Sequence, residues 1–281
     1  MSVAVELGPV QETLLIPLLG RAEETTRRGG LVDDPKAVEI VAQLDYDFDK
    51  WRGGPSMRVS SLRTRMFDEN VTAFLEEYPE GTVVEIGCGL NTRFDRVDNG
   101  RVRWFDVDLP DVIALRRRFF EDRERCKILE GSVLDTDWHD AVAAIGGPCC
   151  FISEAVIIYL EKVDARAAIT GIAQRFPGAW LLTDTTPQRF IDNQGTHDAM
   201  RHLGQESWCR WACNDPAELE TWGAGLHLVE SRSLFDASPQ LLARIPWYYR
   251  VMGWLPQFMT SRVREYRLNR YVVEPSTDDG G

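Results

Sequence analysis

The sequence predicts an α/β fold with a seven-stranded, mostly parallel sheet, a helical N-terminal cap and a mostly helical insertion. From residue 82 onward, β-branched runs alternate with helical segments, which is typical of a parallel sheet with helices on both faces. The first run, Thr82–Ile86, leads directly into Gly87-Cys88-Gly89. A glycine turn after a strand forms the nucleotide site in doubly wound folds, so we expect a ligand at this edge of the sheet.

Three helices are expected ahead of the sheet, over residues 9–28, from residue 35 onward and over residues 56–78. Asp34-Pro35 begins the second helix, because an aspartate accepts hydrogen bonds from free amides and a proline fits the first turn. No long linker separates these helices from the first strand. Residues 1–81 are therefore predicted to form a cap rather than an independent domain.

The remaining chain supplies the strands and an insertion between the fifth and the sixth of them. The predicted strands cover residues 82–86, 102–106, 126–130, 148–153, 178–184, 226–234 and 265–273, with helices near 110–122, 163–176 and 238–252. Residues 185–225 are polar and aromatic, although most connections are only about 4–6 residues long. We therefore expect a partly helical substrate lid there, within a core domain of residues 82–274 that a disordered tail at 275–281 follows.

Composition favours a globular enzyme of the cytoplasm. The chain has 281 residues, a formal net charge of -12 and a pI near 4.9, which argues against nucleic acid because phosphates require a basic surface. No apolar run approaches the ~18 residues of a membrane span, and the N-terminus lacks a signal-peptide pattern. The six cysteines form no C-x-x-C pair, so we expect reduced thiols, a cytoplasmic location and no metal site.

The glycine loop favours S-adenosylmethionine (SAM) over a dinucleotide. A dinucleotide loop needs a third glycine, and Thr92 occupies that position. Glu85, two residues before the first glycine, would repel a pyrophosphate but attract the ammonium and sulfonium groups of SAM, so we assign it to the cofactor site. Asp108 follows the second strand, where an acid accepts hydrogen bonds from ribose hydroxyls; its alternative role is to cap the helix that begins at Pro110.

Six stretches of the sequence together carry a family resemblance. They cover residues 12–18, 34–37, 63–68, 85–93, 106–112 and 153–156, and they include Arg63-Thr64-Arg65-Met66-Phe67-Asp68 and Ser153-Glu154-Ala155-Val156. In this combination the chain resembles the leucine carboxyl methyltransferase family over roughly residues 10–274, and within it a bacterial branch that modifies polyketides. The resemblance implies a Rossmann-like, class I SAM-dependent O-methyltransferase that releases S-adenosylhomocysteine (SAH).

The resemblance also implies roles for individual residues. By position, Arg63 pairs with the SAM carboxylate, and Gly87 and Gly89 lie beside the methionine moiety. In the same way, Asp108 binds the ribose, and Glu154 lies beside the SAM amino group. These residues form the expected cofactor site.

Two departures from the family pattern affect this site. Family members usually carry an aspartate where this chain has Asn91, and members that methylate a phosphatase tail have an acid near the adenine, where this chain has Gly131-Ser132-Val133-Leu134. Adenine recognition is therefore assigned to Ser132, Val133 and Leu134 and to backbone groups.

The expected reaction is esterification of a carboxylate on a small, aromatic or polyketide-like molecule. A carboxylate has an unperturbed pKa near ~4 and needs no general base, so no catalytic residue is required. A phenol, with a pKa near ~10, requires a base, for which His197 and His202 are the candidates. We expect the acceptor to lie between the cap and the insertion, against Arg201, Trp208, Trp211 and Tyr248.

Several alternatives stay open on the sequence alone. The acceptor could be a phenol, another hydroxyl or a protein C-terminus; less consistent with the sequence are a nucleotide-binding oxidoreductase and a SAM-binding module without activity. The expected partners are SAM and a small-molecule acceptor, without nucleic acid or membrane. A homodimer is one open form of assembly.

Overall fold

The computed structural model describes residues 2–245 and 265–275, and a seven-stranded sheet forms its centre. The strands are β1 (Thr82–Ile86), β2 (Arg103–Asp108), β3 (Cys126–Glu130), β4 (Cys149–Ser153), β5 (Trp180–Thr185), β6 (Leu226–Ser233) and β7 (Arg267–Val273). Their order across the sheet is β3-β2-β1-β4-β5-β7-β6, and β7 alone of these seven runs antiparallel to the rest. The predicted seven-stranded, mostly parallel sheet is confirmed.

β1 and β4 are buried along their whole length, as expected for central strands of a sheet covered on both faces. β1 pairs in parallel with β2 on one side and with β4 on the other. The chain thus moves to one side of β1 to form β2 and β3, and returns to the other side to form β4. The carboxyl ends of β1 and β4 therefore border the crevice in which such sheets bind their ligands.

Short helices precede and connect the strands. Those of the described residues are α1 (Leu15–Thr26), α2 (Pro35–Gln43), α3 (Pro55–Glu77), α4 (Arg93–Val97), α5 (Pro110–Arg116), α6 (Asp137–Ala143), α7 (Lys162–Arg175), α8 (Gln188–Asn193) and α9 (Pro239–Arg244). Asp34 accepts a hydrogen bond from Ala37 N at 2.9 Å, so it caps α2 as predicted. The sequence did not predict α4 and α6.

Three predicted segments differ from the structure or lie partly outside it. The first predicted helix, over residues 9–28, begins with a 3-10 turn at Gln11–Leu14 and is α-helical only from Leu15. α5 ends at Arg116 instead of continuing to residue 122. The helix predicted over 238–252 is described as far as residue 245, and the predicted tail beyond residue 275 lies outside the described residues.

α3 is a helix of the cap that also packs against the sheet. Its C-terminal half packs Met66, Phe67 and Phe74 into one core cluster with Trp104 and Trp180 of the sheet. Its first turns instead face a cavity at the carboxyl edge of the sheet. One continuous helix therefore joins the N-terminal helices to the sheet, and the domain boundary at residue 81 stays a prediction.

The insertion between β5 and β6 contains α8 and a series of 3-10 turns. Gln194 and Cys209 hold it together by exchanging two hydrogen bonds, from Nε2 to the carbonyl oxygen at 3.0 Å and from the amide to Oε1 at 2.9 Å. The amides of Arg210 and Trp211 both donate to the carbonyl oxygen of Ile158, at 2.9 and 3.2 Å. These bonds attach the insertion to the segment that follows β4, so it lies over the carboxyl edge of the sheet.

All six cysteines are buried free thiols. Within residues 2–245 and 265–275, no helix is long and apolar enough to cross a bilayer. The same residues contain no group of three His, Cys, Asp or Glu side chains that could hold a metal ion.

Candidate active site

A cavity of about 520 Å³ lies over the carboxyl ends of β1, β2 and β4. Its floor is the glycine loop, residues 87–91, together with residues that follow β2, β3 and β4. Its walls come from the first turns of α3, from residues 10–17 and from the insertion between residues 190 and 209. Its volume falls within the roughly 300–1,000 Å³ of pockets that enclose drug-sized ligands.

The glycine loop turns at two left-handed residues, Gly87 (φ +63°) and Gly89 (φ +50°). The amides of Gly87 and Cys88 both donate to the carbonyl oxygen of Val107, at 2.8 and 3.2 Å, which ties the loop to β2. A Cβ on Gly87 would overlap Cγ2 of Val156. Glycine is required at residue 87 because of its backbone conformation and because the loop that follows β4 approaches so closely.

Asp108 ends β2 and faces the cavity. Its Oδ2 accepts a hydrogen bond from Gly89 N at 2.7 Å, and its Oδ1 accepts one from Leu109 N at 2.8 Å. α5 begins after Leu109 without a side-chain cap, so Asp108 does not have the alternative role of helix cap. Burial raises the pKa of Asp108 to about 6 against the opposing effect of the two amides. Each oxygen keeps acceptor capacity for a further donor such as a ribose hydroxyl.

Glu85 and Glu154 both line the cavity, and one buried arginine joins them. Arg93 is fully buried; its Nη1 donates to Glu85 Oε1 and its Nη2 donates to Glu154 Oε2. Its Nε donates to Asp68 Oδ1 at 2.8 Å. Burial raises the pKa of Glu85 to about 7 in spite of Arg93. Burial also opposes ionisation of Glu154, yet Arg63 and Arg93 lower its pKa below the ordinary value.

Asn91, one of the departures from the family pattern, has a local explanation. Its Nδ2 donates to Glu85 Oε1 at 2.6 Å. Its Oδ1 accepts hydrogen bonds from Thr92 N at 2.9 Å and from Arg96 Nη2 at 3.1 Å. An aspartate at this position would place a second carboxylate against Glu85, whereas the amide supplies the donor that a buried carboxylate needs.

Arg63 extends from α3 into the cavity beside Glu154. Its Nε donates to Glu154 Oε1 at 2.9 Å, and its Nη1 donates to the hydroxyl of Tyr266 at 3.1 Å. The Tyr266 hydroxyl in turn donates to Asp184 Oδ2, and burial raises the pKa of Asp184 to about 6. This end of the cavity therefore offers one cation and one acid, the complement of a zwitterionic amino-acid group. Arg93, Tyr266 and Asp184 were not predicted as site residues.

Ser132 and Val133 line the cavity after β3, but Leu134 does not. The Leu134 side chain is 44% exposed on the outer surface. Ser132 N donates to Asp135 Oδ2 at 2.7 Å, and its carbonyl oxygen accepts from Trp138 Nε1 at 2.9 Å. Because these bonds hold the turn with Leu134 outward, the structure brings two of the three predicted adenine contacts to the cavity.

A further part of the cavity lining is largely apolar. Side chains from the cap, the segment after β4 and the insertion meet here, among them Val59, Tyr159, Phe190, Met200 and Cys209. Burial raises the pKa of Cys209 to about 12 and raises the pKa of Tyr159 above its ordinary value. Both groups are therefore neutral at pH 7, and this part of the lining suits an apolar group.

His197 is the predicted base that reaches the cavity. Its Nε2 lies 3.2 Å from Ser56 Oγ, and its Nδ1 accepts a hydrogen bond from Met200 N at 3.4 Å. Ser56 also donates from Oγ to Asp198 Oδ1 at 2.5 Å and from its amide to Asp198 Oδ2 at 3.1 Å. The insertion thus meets the first turn of α3 at a small polar cluster in the cavity wall.

The other predicted base and the predicted arginine do not reach the cavity. The 3-10 turn Met200–His202 directs Met200 into the core and leaves Arg201 and His202 exposed. Arg201 Nε lies 3.2 Å from His202 Nε2. The insertion was expected to be mostly helical, and the 3-10 turn found here places both side chains on the outer surface.

The predicted tryptophans also lie outside the cavity lining. Trp211 is buried against Trp222, with a distance of 5.6 Å between ring centroids. Trp208 packs against the backbone of Gly195, where a Cβ would lie 3.0 Å from its ring. Both rings pack within the insertion rather than face the cavity. Tyr248 lies outside the described residues.

Sequence comparison agrees with this architecture. Residues 15–173, more than half of the chain, match the sequence model of the leucine carboxyl methyltransferase family. The chain belongs to the leucine carboxyl methyltransferase family. It is 30% identical over 277 residues to the tetracenomycin polyketide synthesis O-methyltransferase of Streptomyces glaucescens, covering 97% of this chain and 100% of that protein. An S-adenosyl-L-methionine-dependent methyltransferase of Gibberella zeae is 26% identical over 278 residues, covering 91% and 90% of the two chains.

Structural comparison supports the same fold. The crystal structure of a DUF574 family protein from Streptomyces avermitilis matches with a TM-score of 0.58, covering 92% of this chain and 97% of that chain at 15% identity. This member of the leucine carboxyl methyltransferase family is therefore a SAM-dependent methyltransferase of class I fold, as the sequence predicts. The residues present fit SAM, because the cavity presents Arg63 and Glu154, whose opposite charges complement an amino-acid group.

Proposed function

We propose that this methyltransferase esterifies a carboxylate on a small, aromatic or polyketide-like molecule. The observation that carries the proposal is that the acids beside the Arg63–Glu154 pair are held by protein donors among the described residues: Glu85 by Arg93 and Asn91, and Asp184 by the Ala155 amide and the Tyr266 hydroxyl. Tyr159 and Cys209 are protonated at neutral pH, and Glu154 is an ionised acid bound by arginines. A carboxylate acceptor needs no proton removed, whereas a phenol does.

The residues around the cavity bind different parts of SAM in this proposal. SAM supplies the methyl group when bound and leaves as SAH. We assign its amino-acid end to Arg63 and Glu154, its ribose to Asp108 and its adenine to Ser132 and Val133. The cap and the insertion exclude water and hold the acceptor in line, and neutralisation of opposite charges in a dry site favours the reaction.

We place the acceptor against the apolar part of the lining around Val59, Phe190 and Met200, called the acceptor end, which favours a small, flat molecule. Its lining is mostly apolar, and the insertion covers it, which favours a small molecule over a protein tail. The relative from Streptomyces glaucescens is named for tetracenomycin polyketide synthesis. A polyketide-like aromatic acid joins an apolar ring system to a carboxylate and therefore matches both observations.

A phenol acceptor is the second candidate, and His197 favours it because that ring lines the cavity. Its partner Ser56, however, lies two helical turns before Arg63 on α3, which corresponds to about 10 Å. A general base must approach its proton to about 3 Å. His197 therefore belongs to the acceptor wall in our proposal rather than to the reacting end.

The proposal predicts how the chemical step depends on pH. With an aromatic acid as acceptor, single-turnover rates should change little from about pH 6 to pH 9, because the carboxylate is ionised throughout. His197→Ala should leave the rate within a few-fold, and product analysis by mass spectrometry should show a methyl ester. His202→Ala is the matched control, since His202 is exposed and outside the cavity lining.

Phenol chemistry would give a different result. The rate would then rise with pH through the pKa of a base, and His197→Ala would reduce it on the order of 10²–10⁴-fold while SAM affinity stays unchanged. That outcome would refute the carboxyl assignment.

A further inference from the structure

A buried acid outside the cofactor loop holds the turn that presents Glu154. Asp184, at the end of β5, is fully buried, and both of its carboxylate oxygens accept from the amide of Ala155 at 3.0 Å. Ala155 has a φ of +54°, the one positive value at a non-glycine residue within the described part of the chain. A left-handed alanine persists only where its surroundings impose it, and such positions concentrate at functional sites. Asp184 supplies that constraint at Ala155, the residue that directly follows Glu154.

The same carboxylate reaches Arg63 through a tyrosine. The hydroxyl of Tyr266 donates to Asp184 Oδ2 and accepts from Arg63 Nη1 at 3.1 Å. Arg63 Nε donates to Glu154 Oε1 at 2.9 Å, which closes a ring of contacts. Asp184 therefore fixes both partners of the ion pair, the acid through its backbone and the arginine through Tyr266.

This ring leaves one edge of the guanidinium directed at the cavity. Arg63 Nε and Nη1 have their partners in Glu154 and Tyr266, and Nη2 has no hydrogen-bond partner among residues 2–245 and 265–275. The side chain is 15% exposed, and it lines the cavity. Arginine loses considerable side-chain freedom when it binds a ligand, and orienting it in advance lowers that cost.

We propose that Asp184 and Tyr266 form a clamp that positions Arg63 to receive the carboxylate of the cofactor. The clamp consists of these two residues, and both are positioning residues, because they act on the cofactor through Arg63 and Glu154. The inference rests on the assignment of Arg63 to the amino-acid end of SAM under the proposed function. A purely structural role would instead be to join β5 to β7 by one buried hydrogen bond.

Two ligands separate these roles. SAH carries the amino-acid end, and methylthioadenosine keeps the nucleoside and the sulfur but lacks that end. Calorimetry on the full chain should show that Tyr266→Phe weakens SAH about three- to tenfold, the effect of one hydrogen bond, and leaves methylthioadenosine within about twofold. Asp184→Asn should act in the same direction, and Tyr266→Phe keeps the test valid if Asp184→Asn does not fold.

Tyr271→Phe is the matched control. Tyr271 lies on β7, which begins directly after Tyr266; it is fully buried and donates one hydrogen bond to the carbonyl oxygen of Pro216 at 2.8 Å, outside the cavity. Its loss should lower the unfolding temperature without changing the ratio of the two affinities. If Tyr266→Phe changes both affinities equally, or neither, the clamp is refuted.

A further variant, Arg63→Met, distinguishes failure of the clamp from failure of the proposed cofactor arrangement. It should weaken SAH about tenfold or more and spare methylthioadenosine, since a hydrogen bond to a charged group is lost. If Arg63→Met is selective and Tyr266→Phe is not, the clamp alone is wrong. If neither variant is selective, both the arrangement and the clamp are wrong.

Discussion

Each oxygen of the Asp108 carboxylate already accepts one backbone hydrogen bond, and this fact decides what the residue can do. The bond from Gly89 ties the end of β2 to the glycine loop, and the bond from Leu109 comes from the next residue of the chain. Asp108 therefore joins the two segments that form this side of the cavity. We propose that the remaining acceptor capacity of the same oxygens binds the ribose, so one side chain both shapes the loop and contacts the cofactor.

Asp108→Ala should weaken SAH at least tenfold with the fold intact. Two hydrogen bonds to a charged acceptor contribute about 1.5–3 kcal/mol each before compensation. Calorimetry at pH 7.5 measures the change, and Asp111→Ala is the control, because Asp111 is a nearby carboxylate that binds Gly8 N outside the cavity lining. In the unaltered protein, SAH affinity should also decrease as the pH falls through about 6, the pKa of Asp108, since a protonated carboxyl accepts less. Unchanged affinity in Asp108→Ala would remove this residue from the site.

Residues beside the glycine loop were predictable, and residues that hold them from a distance were not. Glu85 and Asp108 stand at fixed offsets from a strand end, so local order alone locates them. Arg93 follows the same loop, yet its partner Glu154 is 61 residues away, and Arg63 and Tyr266 are 203 residues apart. No local pattern indicates such pairs, because the topology of the sheet brings them together.

The loops that follow β1 and β4 act as one unit at the level of elements. Gly87 in the first loop and Val156 in the second are in direct contact, and a Cβ at residue 87 would overlap the valine. The sequence places Gly87 beside the methionine moiety of SAM, and the structure adds a nearer obstacle to a side chain at this position, Val156.

Gly87→Ala should therefore lose stability and SAH affinity, and Val156→Ala should restore part of both. The alanine meets a steric clash together with a left-handed backbone, which costs about 1–2 kcal/mol for a non-glycine residue. Gly100→Ala is the control for the backbone alone, because Gly100 has a φ of +81° and nothing within 4 Å of its Cβ position. Denaturant unfolding of the unaltered protein, Gly87→Ala, Val156→Ala and the double variant gives the coupling free energy between residues 87 and 156. Additive effects, without rescue, would show that the two loops are independent.

Periodicity predicted the sheet but not the insertion. The strands are buried runs bounded by glycine, proline or polar residues, and all seven appear. Between residues 185 and 225 a mostly helical segment was expected, and α8 and four short 3-10 turns alternate there with irregular backbone. Arg201 is exposed in one of these turns, and Trp211 lies outside them, buried against Trp222. Tertiary contacts such as the Gln194–Cys209 pair fix this segment.

Three buried acids with raised pKa values contribute to the pH dependence of stability. Burial raises the pKa of Glu85 from 4.5 to about 7, and the pKa values of Asp108 and Asp184 from 3.8 to about 6. In the unfolded chain these groups return to their ordinary values. Between those values the folded state binds protons that the unfolded state does not, so stability increases as the pH falls through this range. His139, whose pKa burial lowers from 6.5, acts in the opposite direction at the acidic end.

The free energy of unfolding of the cofactor-free protein should therefore be higher at about pH 6 than at about pH 8. Urea unfolding at the two values measures the difference. Glu85→Gln should reduce the slope, because a neutral amide removes the largest of the three proton-binding changes. A free energy of unfolding that decreases from pH 8 to pH 6 would contradict the raised pKa values.

The position of β7 between β5 and β6 sets the order in which a newly made chain can complete its fold. β6 has β7 as its neighbour in the sheet, and the ribosome delivers β7 last of the seven strands. A nascent chain that has reached residue 233 therefore contains a β6 sequence without a partner, beside a β5 edge that is still open. Tyr266 emerges with β7, so Arg63 gains its hydroxyl partner only at that stage. Under the proposed clamp, the capacity to bind the cofactor at full strength arises late in translation, and a ribosome that stalls before β7 leaves a chain with two exposed strand edges.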